Sequence, residues 1–90
     1  MYVLIRYDRR KDGDFRLDML GLHNGLDTAI ESMWDDVDRW IDSQNLRNSP
    51  KAYRRRIVGR SAYATHKDRL TVWVVFDQSY PHTWDSTEHL

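Results

Sequence analysis

The amino-acid sequence predicts an α+β fold of two layers, ββαββ, with a four-stranded antiparallel sheet and one amphipathic helix packed on one of its faces. Three observations lead there. Apolar and polar residues alternate on both sides of Asp12-Gly13, over residues 2–9 and 15–19, which is the period-2 signature of a hairpin. Between residues 26 and 41 the apolar residues recur at helical spacing instead. Residues 70–77, LTVWVVFD, are apolar on both faces and rich in β-branched and aromatic side chains, the composition of a central strand. A lone helix must bury its apolar stripe, and one face of a sheet is the economical place for it. The other sheet face is then open to water or to a partner.

Taken in order, residues 2–9 form the first predicted strand. Val3, Ile5 and Tyr7 point one way; Tyr2, Leu4 and Arg6 point the other. Asp12-Gly13 is the residue pair that a two-residue type I′ turn favours. Phe15, Leu17 and Met19, alternating with Arg16 and Asp18, make the return strand. Gly21 and Gly25 punctuate the loop that follows, and His23 lies between them. The helix is expected from about Thr28 to Gln44, with Leu26, Ile30, Met33, Val37, Trp40 and Ile41 on its apolar face and Ala29 and Trp34 beside them. Thr28 and Glu31 have the spacing of a capping box, and Pro50 forbids continuation. Residues 53–64 read as one strand, 65–69 as a turn and 70–77 as the last strand. The domain is thus expected over residues 1–78, with 79–90 a tail of no clear period and a candidate for flexibility, which Tyr80 and Trp84 would tether.

Size and composition restrict the function classes. Ninety residues make one domain, which buries roughly 60–65% of the surface of its unfolded chain. The absence of cysteine excludes thiolate metal sites and thiol nucleophiles, and points to a cytoplasmic protein rather than a small secreted one. No apolar run approaches the ~20 residues of a membrane span, and MYVLIRYDRR lacks the layout of a signal peptide. Neither a P-loop, a GxGxxG nor an HExxH occurs. His82, Asp85, Glu88 and His89 gather acids and imidazoles in the tail, where ordering entropy opposes a metal site. Asp35, Asp36 and Asp38 do not converge on a helix, and Ser61 with His66 lacks a placed acid. The expectation is a domain without catalysis, metal or cofactor.

Charge is where the sequence is most informative. The formal net charge is zero, yet from Asp27 to Asp42 six acids stand against one Arg, and from Arg47 to Arg60 six bases stand against no acid. Glu31, Asp35, Asp38 and Asp42 fall at i, i+4, i+7 and i+11, one stripe beside the apolar face. Like charges at i,i+4 are mildly repulsive, and acids near a helix C-terminus oppose its dipole. A solvated face is the ordinary reading of such a stripe; a surface for a basic partner is the functional one.

YRRRIVGR, residues 53–60, holds four arginines in eight residues. Read as one continuous strand, it sends Arg54, Arg56 and Arg60 to one face with Val58, Ala62 and Ala64. Ile57 and Tyr63 then point to the core, Leu70, Val72, Val74 and Phe76 of the last strand are expected to face the helix, and Trp73 and Val75 are expected on the open face beside the arginines. Such a face is a platform for single-stranded nucleic acid or for protein, since Arg and Trp are enriched in binding hot spots. Pairing with the protein's own acids is the plainer account. The expected function is a non-catalytic macromolecule-binding domain. Its first expected partner is a protein, engaged by the acidic stripe, the Arg/Trp face or both, as in a phage-type accessory or inhibitor protein. Nucleic acid bound through Arg54, Arg56, Arg60 and Trp73 is the second reading, and a homodimer joining acidic helix to basic strand is a third arrangement.

Overall fold

The computed structural model describes residues 1–10 and 12–78. Five strands and one helix follow one another as β1 (Tyr2–Arg9), β2 (Phe15–His23), α1 (Leu26–Ser43), β3 (Arg54–Val58), β4 (Ser61–His66) and β5 (Arg69–Asp77). They form one antiparallel sheet in the order β2-β1-β5-β4-β3. The architecture is α+β as expected, but the sheet has five strands rather than four. The described residues measure 19 Å in their smallest extent, room for one sheet and one helix. The tail with Tyr80, His82, Trp84, Asp85, Glu88 and His89 lies outside the described residues.

The extra strand comes from a turn inside the segment that reads as one strand. Gly59 takes φ +57, a conformation open mainly to glycine, and the chain reverses across Gly59-Arg60 so that Val58 pairs with Ser61. Lys67, at φ +54, begins the similar turn into β5, inside the predicted 65–69 turn. The first hairpin is looser than a two-residue turn. Gly13 at φ +90 donates its N–H to the Arg10 carbonyl, and the Arg10 N–H donates to Asp14 at 2.9 Å. The Asp12 carboxylate accepts from the Asp14 N–H at 3.0 Å, an Asx turn that fixes the corner.

α1 starts two residues earlier than its cap signals indicate. Gly25 is the N-cap and no side chain caps the helix. Thr28 sits inside the first turn, where its hydroxyl donates to the Gly25 carbonyl at 2.9 Å. The capping box is therefore absent. β2 continues through Gly21 to His23, and the pairing shifts register between Leu4 and Ile5, so Gly21 belongs to a bulged strand and His23 to its end, not to a loop.

The core lies between the helix and one sheet face. Leu4, Ala29, Met33, Val37, Trp40, Ile41, Leu46, Ala62, Ala64, Trp73 and Val75 form it. Ala62 and Ala64 lie beside the Trp73 ring, which meets Trp40 edge-on at 6.3 Å, a favoured aromatic geometry. Trp40 also meets Tyr53 at 6.4 Å. Trp34, expected in this stripe, is 54% exposed. It sits over β3, beside Asp38, Arg55, Arg56 and Ile57.

Candidate functional site

Directly paired residues in an antiparallel sheet share a face, so the register assigns every strand residue to one side. The open face carries Val3, Ile5, Tyr7 and Arg9 from β1; Phe15, Leu17, Met19 and Leu22 from β2; and Leu70, Val72, Val74 and Phe76 from β5. From β4 come Ser61, Tyr63 and Thr65, and from β3 Arg54, Arg56 and Val58. Among the described residues no acidic side chain occurs on it. Phe15, Leu17 and Met19 are 63–66% exposed, and Leu22, Val58, Tyr63 and Phe76 are exposed as well. Exposed apolar side chains thus stand on β2, β3, β4 and β5, while on β1 Val3 is buried and Ile5 and Tyr7 are half-buried, with Tyr7 and Phe15 in contact at 5.9 Å. Such an expanse is unusual on a soluble monomer and marks interaction surfaces.

Two of the four sheet residues singled out by sequence, Arg60 and Trp73, stand differently from expectation. Arg54 and Arg56 are on the open face. They are exposed and make no ion pair among the described residues. Arg60 belongs to the β3–β4 turn and stands on the helix side, its guanidinium 5.8 Å from the Tyr2 ring centroid, a cation–π contact. Trp73 is wholly buried against the helix, so it offers no ring to a partner. Tyr63, expected in the core, is exposed on the open face, and Leu70, Val72, Val74 and Phe76 face away from the helix. All of these reversals follow from the turn at Gly59. A two-residue turn pairs even positions with odd ones, so the parity read along β3 inverts in β4 and persists into β5.

The acidic stripe is in part an internal partner of the basic segment. Asp38 meets Arg55 Nη1 at 3.4 Å, and Asp42 accepts a hydrogen bond from Arg47 Nε. That hydrogen bond holds the Asp42 carboxyl below the usual carboxylate range and the Arg47 guanidinium above its ordinary value, despite the opposing effect of desolvation. Glu31 and Asp35 are exposed on the same side of the helix. The stripe is thus partly neutralised, while Arg54 and Arg56 have no such partner.

The helix side of the sheet carries a polar network. Asp36, 8% exposed, accepts from Trp73 Nε1 at 2.6 Å and from Arg6 Nη1 at 2.9 Å. Arg6 also faces Asp8 and Asp18, each at 3.4 Å. Burial works against the Arg6 charge, but the Asp36 carboxylate, with Asp8 and Asp18, outweighs it and raises the pKa above its ordinary value. Thr71 donates to Asp8, and Arg69 Nη1 donates to Gln44 at 3.2 Å. A cleft of about 510 Å³ lies along this network, between the β1–β2 hairpin and the C-terminal half of α1.

Other candidate groups do not assemble a reactive site. Ser61 donates to the Val58 carbonyl, and His66 Nδ1 donates to the Ala52 carbonyl at 2.7 Å, so the two side chains serve separate turns. Among the described residues no three His, Asp or Glu side chains are grouped to hold a metal ion. No helix among them is long and apolar enough to cross a membrane. Comparison with protein-family models, with curated proteins and with solved structures finds no match.

Proposed function

We propose that the protein is a non-catalytic macromolecule-binding domain whose open sheet face receives an apolar, acidic segment of another protein. One observation carries this reading: an apolar face spanning five strands, bordered by Arg9, Arg54 and Arg56 and free of acids among the described residues. Its exposed aliphatic and aromatic side chains supply the area that binding requires. Arg54 and Arg56, which make no ion pair among the described residues, select carboxylates at the rim, where charge steers encounter and excludes basic partners. A small cytoplasmic accessory or inhibitor protein, covering the acidic surface of a target, is the role such a face supports. Nucleic acid is the second reading, favoured by Phe15, Tyr63 and Phe76 beside the arginines. Bases stack on rings, however, and Leu17, Met19, Leu22 and Val58 are aliphatic, which fits protein side chains better.

Selection of displayed random peptides on the immobilised protein tests the proposal. The expected winners combine acids with large apolar residues, lose binding to Leu17→Asp and keep it with Asp35→Asn. Winners without an acidic bias, or binding indifferent to Leu17→Asp, overturn it. Salt-sensitive binding of single-stranded oligonucleotides that needs Arg54 and Arg56 would give the face to nucleic acid instead. A dimer in light scattering that Leu17→Asp dissociates would give it to a second copy.

A further inference from the structure

We infer that the cleft between the β1–β2 hairpin and the C-terminal half of α1 is a binding site for a small phosphate-bearing anion. It lies on the helix side of the sheet and shares Phe15, at the end of the hairpin, with the open face. Five arginines and three aspartates line it. The aspartates are unequally free. Asp36 is taken up by Arg6 and Trp73, and Asp8 by Thr71 and Arg6. The arginines have capacity to spare. Arg10 and Arg39 are exposed at the cleft and make no ion pair among the described residues. Arg16 reaches only Asp18, at 3.0 Å, and Arg69 reaches Asp8 no closer than 4.0 Å.

A second observation points to a ligand acceptor. Three residues bordering the cleft carry buried N–H groups that make no hydrogen bond among the described residues: Arg69 Nε, Trp40 Nε1 and Arg6 Nε, the last standing 3.4 Å from the Asp8 carboxylate. Trp40 is 5% exposed. A buried donor left unmade costs about 1–3 kcal/mol, so a native structure keeps one only where something else compensates. Guanidinium and indole groups donate and do not accept, so the missing partner is a group rich in acceptor oxygens. A carboxylate has two oxygens for at least four donor side chains, whereas a phosphate or diphosphate has three or more and binds guanidinium bidentately. The cleft volume of about 510 Å³ lies in the range of small-molecule sites and exceeds a bare phosphate. Asp14 is the one lining acid with no side-chain partner among the described residues, and it opposes the anion from the hairpin corner.

The test is a titration of the full chain with inorganic phosphate, pyrophosphate and ADP at low ionic strength, followed by calorimetry and by the indole N–H resonances. The expected result is saturable binding, tighter for pyrophosphate than for phosphate, that shifts the Trp40 indole signal. Arg10→Gln and Arg39→Gln, both exposed and outside the core, are each expected to weaken it about tenfold. Asp14→Asn is expected to strengthen it, and Lys51→Gln, away from the cleft, to leave it unchanged. ADP tighter than pyrophosphate would show that the organic part is held as well; equal affinity would show that the phosphates suffice. The inference is overturned by no saturable binding up to ~10 mM, by a Trp40 signal that stays in place, or by Lys51→Gln weakening binding as much as Arg39→Gln.

Discussion

Asp36 joins the helix to the sheet through one carboxylate oxygen, which accepts from both the Trp73 indole and the Arg6 guanidinium. It stands next to Asp35, which is exposed, and one turn before Trp40, which is in the core. A buried donor is costly when its acceptor is removed, and a buried charge more so when its partner is. Asp36→Ala strands the indole donor and removes the nearest of the three carboxylates that face Arg6, and is expected to cost about 3 kcal/mol. Asp36→Asn keeps an acceptor for the indole and loses only the charge toward Arg6, which Asp8 and Asp18 still face, so it is expected to cost less than half as much. Denaturant melts of the two variants check this, and equal losses would mean that the Arg6 ion pair, not the indole hydrogen bond, is the stronger tie. The pairing is invisible in the sequence. DDVD offers three aspartates, and only the observed rotation of α1 decides that the middle one turns inward.

At the scale of elements, the β3–β4 hairpin depends on Gly59, at φ +57 with nothing within 4 Å of where a Cβ would stand. Substitution there meets no clash, only the backbone cost of a left-handed residue. Gly59→Ala is expected to lose about 1–2 kcal/mol and Gly59→Asn less, because asparagine visits this conformation more readily; thermal unfolding of both orders the pair, and an Ala variant as stable as wild type would show that the turn relaxes into another type. This glycine also marks where the sequence stopped being legible. The first hairpin, the helix and the β5 strand were each readable from periodicity and turn residues, because each pattern runs long enough to declare itself. VGRS lacks the Asn-Gly or Asp-Gly pair that announces a two-residue turn, and a lone glycine inside a strand-like run reads as a bulge. One missed turn then reversed the faces assigned to Tyr63, Trp73 and Phe76. The exposed position of Arg54 and Arg56, which precede the turn, was legible. Trp34 was misread for a different reason: it borders the apolar stripe, and periodicity does not say how wide a stripe the sheet covers.

For the molecule as a whole, one sheet of five strands has two faces, and among the described residues one helix to cover them. The helix face holds the small Ala62 and Ala64 beside the large Trp73, the complementarity of a packed core. The open face holds large exposed apolar side chains, with no second layer against them among the described residues. If those residues served only to fold the protein, replacing them would destabilise it; if they serve a partner, the free protein should not depend on them. Phe15, Leu17 and Met19 are 63–66% exposed, so their combined replacement by threonine is expected to change stability little, each within about 0.5 kcal/mol, as for surface positions generally. Threonine also keeps the β propensity of strand β2. By contrast Leu4→Ala, on the buried face of the neighbouring strand at 1% exposure, is expected to cost about 2–5 kcal/mol, a fall of roughly 10 °C or more in a domain of this size. The triple variant should bind less of an apolar dye such as ANS and lose the peptides selected on the wild-type face while melting within a few degrees of it. Were it instead to unfold with Leu4→Ala, the open face would belong to the folding core of a larger assembly, and a stable free monomer would not exist to be measured.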